Sequence, residues 1–192
     1  LRNFLMRFHN IFLPVLLGLI LLLFNLLVIM EVAYAMPPKS GDMIKFIENN
    51  PPVESPSTPF IGPSGQQVTL RDYKKTWTLI NFWATWCAPC ISELPSLSKL
   101  QEKLDNTKFK LLLISIDRSG KKVFEPFLKK IGLTSLKSGS DPKTLLMQKL
   151  GLTGIPTTLL VSPTGEVVGK LVGTAKWDTK SAIDLVNFYL QK

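Results

Sequence analysis

Residues 60–192 read as an α/β domain: a central mixed sheet with helices on both faces, an N-terminal β-hairpin and a helical insertion. Three features carry this reading. "TWTLINFW" (76–83) and "KLLLISID" (110–117) are apolar runs of strand length, and "TTLLVSPTGEVVGKLVG" (157–173) is two more runs folded about Pro163-Thr164-Gly165. Between the runs, apolar residues return every three or four positions, the spacing of one helix face. The runs are apolar throughout instead of alternating, so their strands need cover on both faces.

Ahead of the domain stand two segments of different character. Residues 1–35 read as a signal peptide or an N-terminal membrane anchor. Arg2 and Arg7 precede an almost wholly apolar stretch from Ile11 to Met30. Twenty such residues in a helix cover about 30 Å, the thickness of a bilayer's hydrocarbon core. Basic residues before the stretch keep that end cytoplasmic, so the rest of the chain is expected on the other side. Ala33-Tyr34-Ala35 resembles a cleavage site, which favours the signal peptide, whereas the apolar length favours the anchor. Residues 36–59 hold six of the chain's 14 prolines and read as a Pro-rich linker.

Within the domain, Ser64-Gly65 turns a small hairpin between "FIGP" and "QQVTL". Residues 76–83 form a buried strand. Ile91, Leu94, Leu97, Leu100 and Leu104 mark a helix from Cys87 to about Leu104, and residues 110–117 the next strand. Phe124, Phe127, Leu128 and Ile131 mark a helix over 121–131. Asp141-Pro142 is expected to open another that stops at Gly151. Asp178 is expected to cap a last helix ending near Leu190.

Composition narrows the function. The chain carries 23 Lys and Arg against 14 Asp and Glu, a formal charge of +9. The lysines are scattered pairs with no arginine cluster and no interleaved aromatics, so nucleic acid is not an expected partner. A basic surface beside a membrane segment suits anionic headgroups.

The two cysteines, Cys87 and Cys90, stand in "NFWATWCAPCISELP". A structural zinc site wants four ligands, and the chain adds only His9, ahead of the apolar stretch; no metal and no cofactor is expected. A staple across two residues closes too small a loop to constrain the unfolded chain much. The third reading is thiol chemistry. C-x-x-C after a buried strand and at the start of a helix places the first sulfur among unpaired N–H groups and the positive end of the helix dipole. A thiol pKa lowered by about 1.5 units there corresponds to roughly 2 kcal/mol in favour of thiolate. Cys87 is then the attacking sulfur, and Cys90, one turn further in, resolves the mixed disulfide.

"FWATWCAPC", Pro95 and "GIPTTLLV" closely resemble the thioredoxin family, in particular its membrane-tethered TlpA/ResA-like branch of the AhpC/TSA-redoxin superfamily. The resemblance covers roughly 60–190. It implies a thioredoxin-like fold and a redox-active Cys87–Cys90 disulfide. It implies a cis bond at Pro156, which faces the cysteines, with the Ile155 backbone pairing to bound substrate. Trp86 and Pro89 then belong to a partner-docking rim, and Trp83 to the core. Where cytoplasmic thioredoxins carry a buried aspartate, this chain has Asn81, which takes no proton. The branch instead has a glutamate after the second cysteine, and Glu93 sits there, sharing a helix face with Cys90 at i,i+3. Buried, Glu93 would move the Cys90 proton at neutral pH; the alternative is a solvent-facing helix glutamate. Trp77 and Trp177 carry no assignment.

The resemblance implies an extracytoplasmic enzyme, on the periplasmic side of the inner membrane. It would be a protein-disulfide reductase for envelope proteins such as apocytochrome c, supplied with electrons by a transmembrane thiol–disulfide donor. It also implies that the insertion, residues 118–150, shapes substrate choice. A disulfide-forming oxidase on the same scaffold remains an alternative. So does a thiol peroxidase, for which Arg71 and Arg118 are the domain's arginines.

Overall fold

The computed structural model describes residues 15–25, 36–104 and 106–192. Residues 15–25 are helical (α1) and form part of a unit separate from the domain that begins at Pro38. Asn25 caps its own polarity by donating to the Leu21 carbonyl at 2.8 Å. Among the described residues no helix is long and apolar enough to cross a membrane. Arg2, Arg7, His9 and Ala33-Tyr34-Ala35 lie outside the described residues.

The domain is built on one eight-stranded mixed sheet in the order β1-β8-β7-β4-β5-β6-β2-β3. Its strands are β1 (Phe46–Glu54), β2 (Phe60–Ile61), β3 (Gln67–Val68), β4 (Trp77–Trp83), β5 (Phe109–Ser115), β6 (Ser138–Ser140), β7 (Thr157–Val161) and β8 (Glu166–Val172). The β4–β5 and β5–β6 pairs are parallel and the others antiparallel. The helices are α2 (Ala88–Lys103), α3 (Lys121–Lys130), α4 (Leu145–Lys149) and α5 (Lys180–Leu190).

Every residue of β4 is buried, as its unbroken apolar run requires. The strand's period of two sends Leu79, Asn81 and Trp83 to one face and Ile80 and Phe82 to the other. The first face packs against Leu94, Leu97 and Leu100 of α2, Phe124 and Leu128 of α3, and Leu185 and Val186 of α5. The second packs against Leu146 and Met147 of α4 and Leu70. Helix α2 runs through Pro95, which is exposed.

Three expectations are corrected, and one strand is found that no sequence pattern marked. The stretch read as a linker contains β1, which pairs with β8 along the sheet edge. Its prolines are tolerated because Pro51 and Pro52 fall in the break of register between Glu48 and Val53, where no ladder bond is lost. Phe46 anchors it, only 3% exposed, against the Tyr189 ring and over Gly169, where a Cβ would collide with the Phe46 ring. The unmarked strand is β6, which has no apolar signature: its Gly139 is required because a Cβ would lie 2.7 Å from the Ile61 carbonyl oxygen of β2. Second, α4 begins at Leu145, although Asp141 still caps it by accepting from the Leu145 and Met147 N–H groups. Third, Thr179 caps α5, accepting from Ala182 N, while Asp178 accepts from Lys99 Nζ.

Candidate redox active site

Strand β4 ends at Trp83, whose carbonyl accepts from Ile116 N at 2.9 Å. The chain then turns through Ala84–Trp86 into α2. Asp117, beyond β5, clamps this turn. Its carboxylate accepts from Thr85 N at 3.0 Å, Thr85 Oγ1 at 2.8 Å and Ser115 Oγ at 2.7 Å.

Cys87 is the N-cap of α2, with Ala88 and Pro89 in the first turn. Pro at this position needs no N–H partner and has φ preset for the helix. Cys87 Sγ accepts from Cys90 N at 3.2 Å, so the sulfur sits at the helix's open donors. Cys87 and Cys90 are joined in a disulfide with Cα atoms 5.3 Å apart. Cys87 is 6% exposed and Cys90 0%. Both sulfurs are thus largely covered, Cys90, one turn further in, completely. Trp86, 65% exposed, and Pro89 form the outer rim.

On the inner side, Glu93 is 1% exposed and does not face solvent. Its Oε1 accepts from Asn81 Nδ2 at 2.7 Å, and its Oε2 from Ala175 N at 3.0 Å and Trp177 Nε1 at 3.4 Å. Burial pushes its pKa from 4.5 up to about 7, against the pull of these three donors. Asn81 Nδ2 also donates to Thr158 Oγ1 at 2.9 Å, across the β4–β7 ladder in which the two residues are direct partners.

Ile155–Pro156 is cis. Thr157 pairs with Phe82, so Pro156 lies at the sheet end where β4 runs out toward the cysteines. Pro156 is buried, its carbonyl accepting from Gly173 N at 2.9 Å, and Ile155 is half-buried. From Gly173 the loop to α5 runs along the first half of α2, where Thr174 Oγ1 donates to the Pro89 carbonyl and Trp177 N to Ser96 Oγ. Cys87, Cys90, Glu93, Trp86, Pro89, Ile155 and Pro156 thus gather at one end of the sheet. Asp117, Trp177 and Ala175 belong to the same constellation and carry no spacing signal that marks them. Arg71 pairs with Glu54 beside Glu166, at the far end of β8. Arg118 lines a groove of about 700 Å³ together with Trp86, Val123, Pro142 and Lys143. Among the described residues no group of three or more His, Cys, Asp or Glu could hold a metal ion.

The family model described as "AhpC/TSA family" matches residues 51–170. The chain is 28% identical over 139 residues to the thiol-disulfide oxidoreductase ResA of Bacillus cereus, covering 72% of this chain and 76% of that one. The crystal structure of StoA from Bacillus subtilis superposes with a TM-score of 0.55 at 26% identity, covering 65% of this chain and 93% of that one. A DsbE-type thiol:disulfide interchange protein from Chlorobium tepidum shares the fold with a TM-score of 0.64 at 24% identity, covering 72% and 96%.

Proposed function

The chain belongs to the AhpC/TSA family, and on that premise we propose that it is a thiol–disulfide oxidoreductase reducing disulfides of proteins outside the cytoplasm. The observation that carries this is the asymmetry of one disulfide: Cys87 Sγ at the helix donors, Cys90 wholly buried, and buried Glu93 one turn on. In the reduced enzyme the Cys87 thiolate attacks a partner's S–S bond. A Cys87–partner disulfide forms, and the partner's other sulfur leaves as thiolate and takes a proton. Glu93 as carboxylate accepts the Cys90 proton, and the Cys90 thiolate attacks Cys87 Sγ. The partner's second sulfur leaves, and the Cys87–Cys90 bond closes. Two electrons pass from the dithiol to the partner disulfide.

Trp86 and Pro89 form the rim against which the partner docks, and the groove that Arg118 and Lys143 share with Trp86 extends it. The backbone at Ile155, beside Pro156, pairs with the partner strand. A transmembrane thiol donor restores the dithiol, and apocytochrome c is a candidate among the envelope substrates. Residues 1–35 hold the enzyme at the membrane or direct its export.

Equilibration of the full chain with glutathione buffers tests the direction. A potential near or below about −250 mV supports a reductase; one near about −120 mV makes the pair an oxidant and overturns the direction proposed.

A further inference from the structure

Glu93 is surrounded by hydrogen-bond donors. Asn81 Nδ2 faces Oε1, and Ala175 N and Trp177 Nε1 face Oε2. A carboxylate, which only accepts, suits all three. A neutral carboxyl does not, because its O–H needs an acceptor and meets donors instead. The Ala175 and Trp177 groups cannot reverse, since a backbone N–H and an indole N–H only donate. Asn81 can, because one carbon carries both its donor and its acceptor.

The acceptor end of Asn81 is idle. Asn81 is 0% exposed, and its Oδ1 is buried without a hydrogen-bond partner, while Nδ2 serves both Glu93 Oε1 and Thr158 Oγ1. A half-turn about the Cβ–Cγ bond puts Oδ1 where Nδ2 now lies. There it accepts from the Glu93 O–H and from the Thr158 hydroxyl, a group able to donate as well as accept. One end of the amide lacks a partner in either orientation, so that cost weighs on both sides of the turn.

We propose that Asn81 is the positioning residue of the Glu93 carboxyl, its amide donating to the carboxylate and turning over to accept from the neutral acid. The use of this device in catalysis rests on the reading of Glu93 as carrier of the Cys90 proton; the turn itself belongs to the resting, oxidised protein. Each protonation state of Glu93 then has a matching partner at the same distance, and neither is stranded in the apolar interior. The groups facing Glu93 are Cys90 on its own helix, Asn81 on β4 with Thr158 behind it on β7, and Ala175 and Trp177 on the loop before α5. No charged side chain shifts it. Cys90 is the one other titratable group among these, and in the disulfide it does not titrate. Glu93 and Asn81 are therefore expected to report one shared proton in the oxidised enzyme.

The test is NMR of the oxidised full chain in detergent micelles, labelled at Asn and Glu, from about pH 5 to about pH 9, a range spanning the Glu93 midpoint. Glu93 Cδ and the Asn81 side-chain amide are expected to titrate together. The cross-relaxation from the Asn81 Nδ2 protons to the Thr158 methyl is expected to fall several-fold below the midpoint. In Glu93→Gln, whose amide donates at every pH, the Asn81 signals are expected to stay at the low-pH wild-type positions. A Glu93 that titrates while this cross-relaxation persists overturns the proposal: the amide then feels the charge without turning. A Glu93 that does not titrate in this range also overturns it, as does an Asn81 fixed in the high-pH form in Glu93→Gln. The disulfide stays closed throughout, so the outcome is independent of whether Glu93 acts in turnover, which the reactivity of Cys90 in Glu93→Gln tests separately.

Discussion

The two sides of the Cys87–Cys90 disulfide differ in how they are built. The outer side is continuous chain, from Thr85 to Pro89, with Trp86 65% exposed. The inner side is assembled from β4, α2, β7 and the loop before α5, and Cys90, Glu93, Asn81 and Trp177 are each at most 1% exposed. One side is open to solvent, and the other is a dry interior, where a carboxyl loses the hydration that favours its charge. The difference teaches that two sulfurs identical as residues are given unlike surroundings by what stands behind them, and it is this asymmetry that supports the separate tasks proposed for them.

The largest expected effect breaks this division outright. Cys87→Ser is expected to abolish turnover, and Cys90→Ser to leave partners bound through Cys87 as mixed disulfides, read by non-reducing electrophoresis and mass spectrometry. Normal turnover by Cys90→Ser would mean that the inner side has no part in the reaction.

Next in size is the cost of ionising Glu93 in the interior. Its pKa is 4.5 when free and about 7 in the fold. Between these values the folded protein holds a proton that the unfolded chain has released. Stability is therefore lost as pH rises through that window, by about 3 kcal/mol in all. Urea unfolding of the oxidised protein at pH 4.5 and at pH 8 is expected to show this loss, and Glu93→Gln to remove that part of the pH dependence. An equal pH dependence in Glu93→Gln would place the titrating group elsewhere.

Thr85→Val is expected to cost about 1–3 kcal/mol, because the Asp117 carboxylate loses the Thr85 hydroxyl, while the Glu93 titration stays where it is. Equilibrium unfolding together with the Glu93 Cδ midpoint checks this, and a moved midpoint would join the two sides that the structure separates. The smallest effect sharpens the inner side. Trp177→Phe keeps an aromatic, apolar side chain and removes one long donor bond to Oε2, so the Glu93 midpoint is expected to rise by a fraction of a unit. A midpoint that falls would contradict the part assigned to the indole N–H.

The same contrast governs what could be read in the sequence. The outer side was legible because "WCAPC" is contiguous and its chemistry follows from helix-terminus geometry. Glu93 was legible only as one of two readings, buried or solvent-facing, since i,i+3 spacing places it near Cys90 without stating what covers it. Asn81 stood out as a departure, but its pairing with Thr158 is a matter of strand register between segments 77 residues apart. Trp177 and Asp117 reach the site through loops, where no periodicity speaks. In the fold, β4, β5, α2 and α3 follow the apolar pattern closely. Strand β1 does not, because its prolines dominate its composition while its place is decided by Phe46 filling the space above Gly169. Strand β6, Ser-Gly-Ser, is specified by a close approach of backbones and by no side-chain pattern at all.

The most direct measurement is pH-dependent alkylation of the reduced full chain, with mass spectrometry assigning each adduct to its sulfur. Cys87 is predicted to react first, with a midpoint below the ordinary thiol value of about 8.5, and Cys90 only at higher pH. Cys90 reacting as early as Cys87, or a Cys87 midpoint at or above that value, would contradict the division of labour between the two sulfurs.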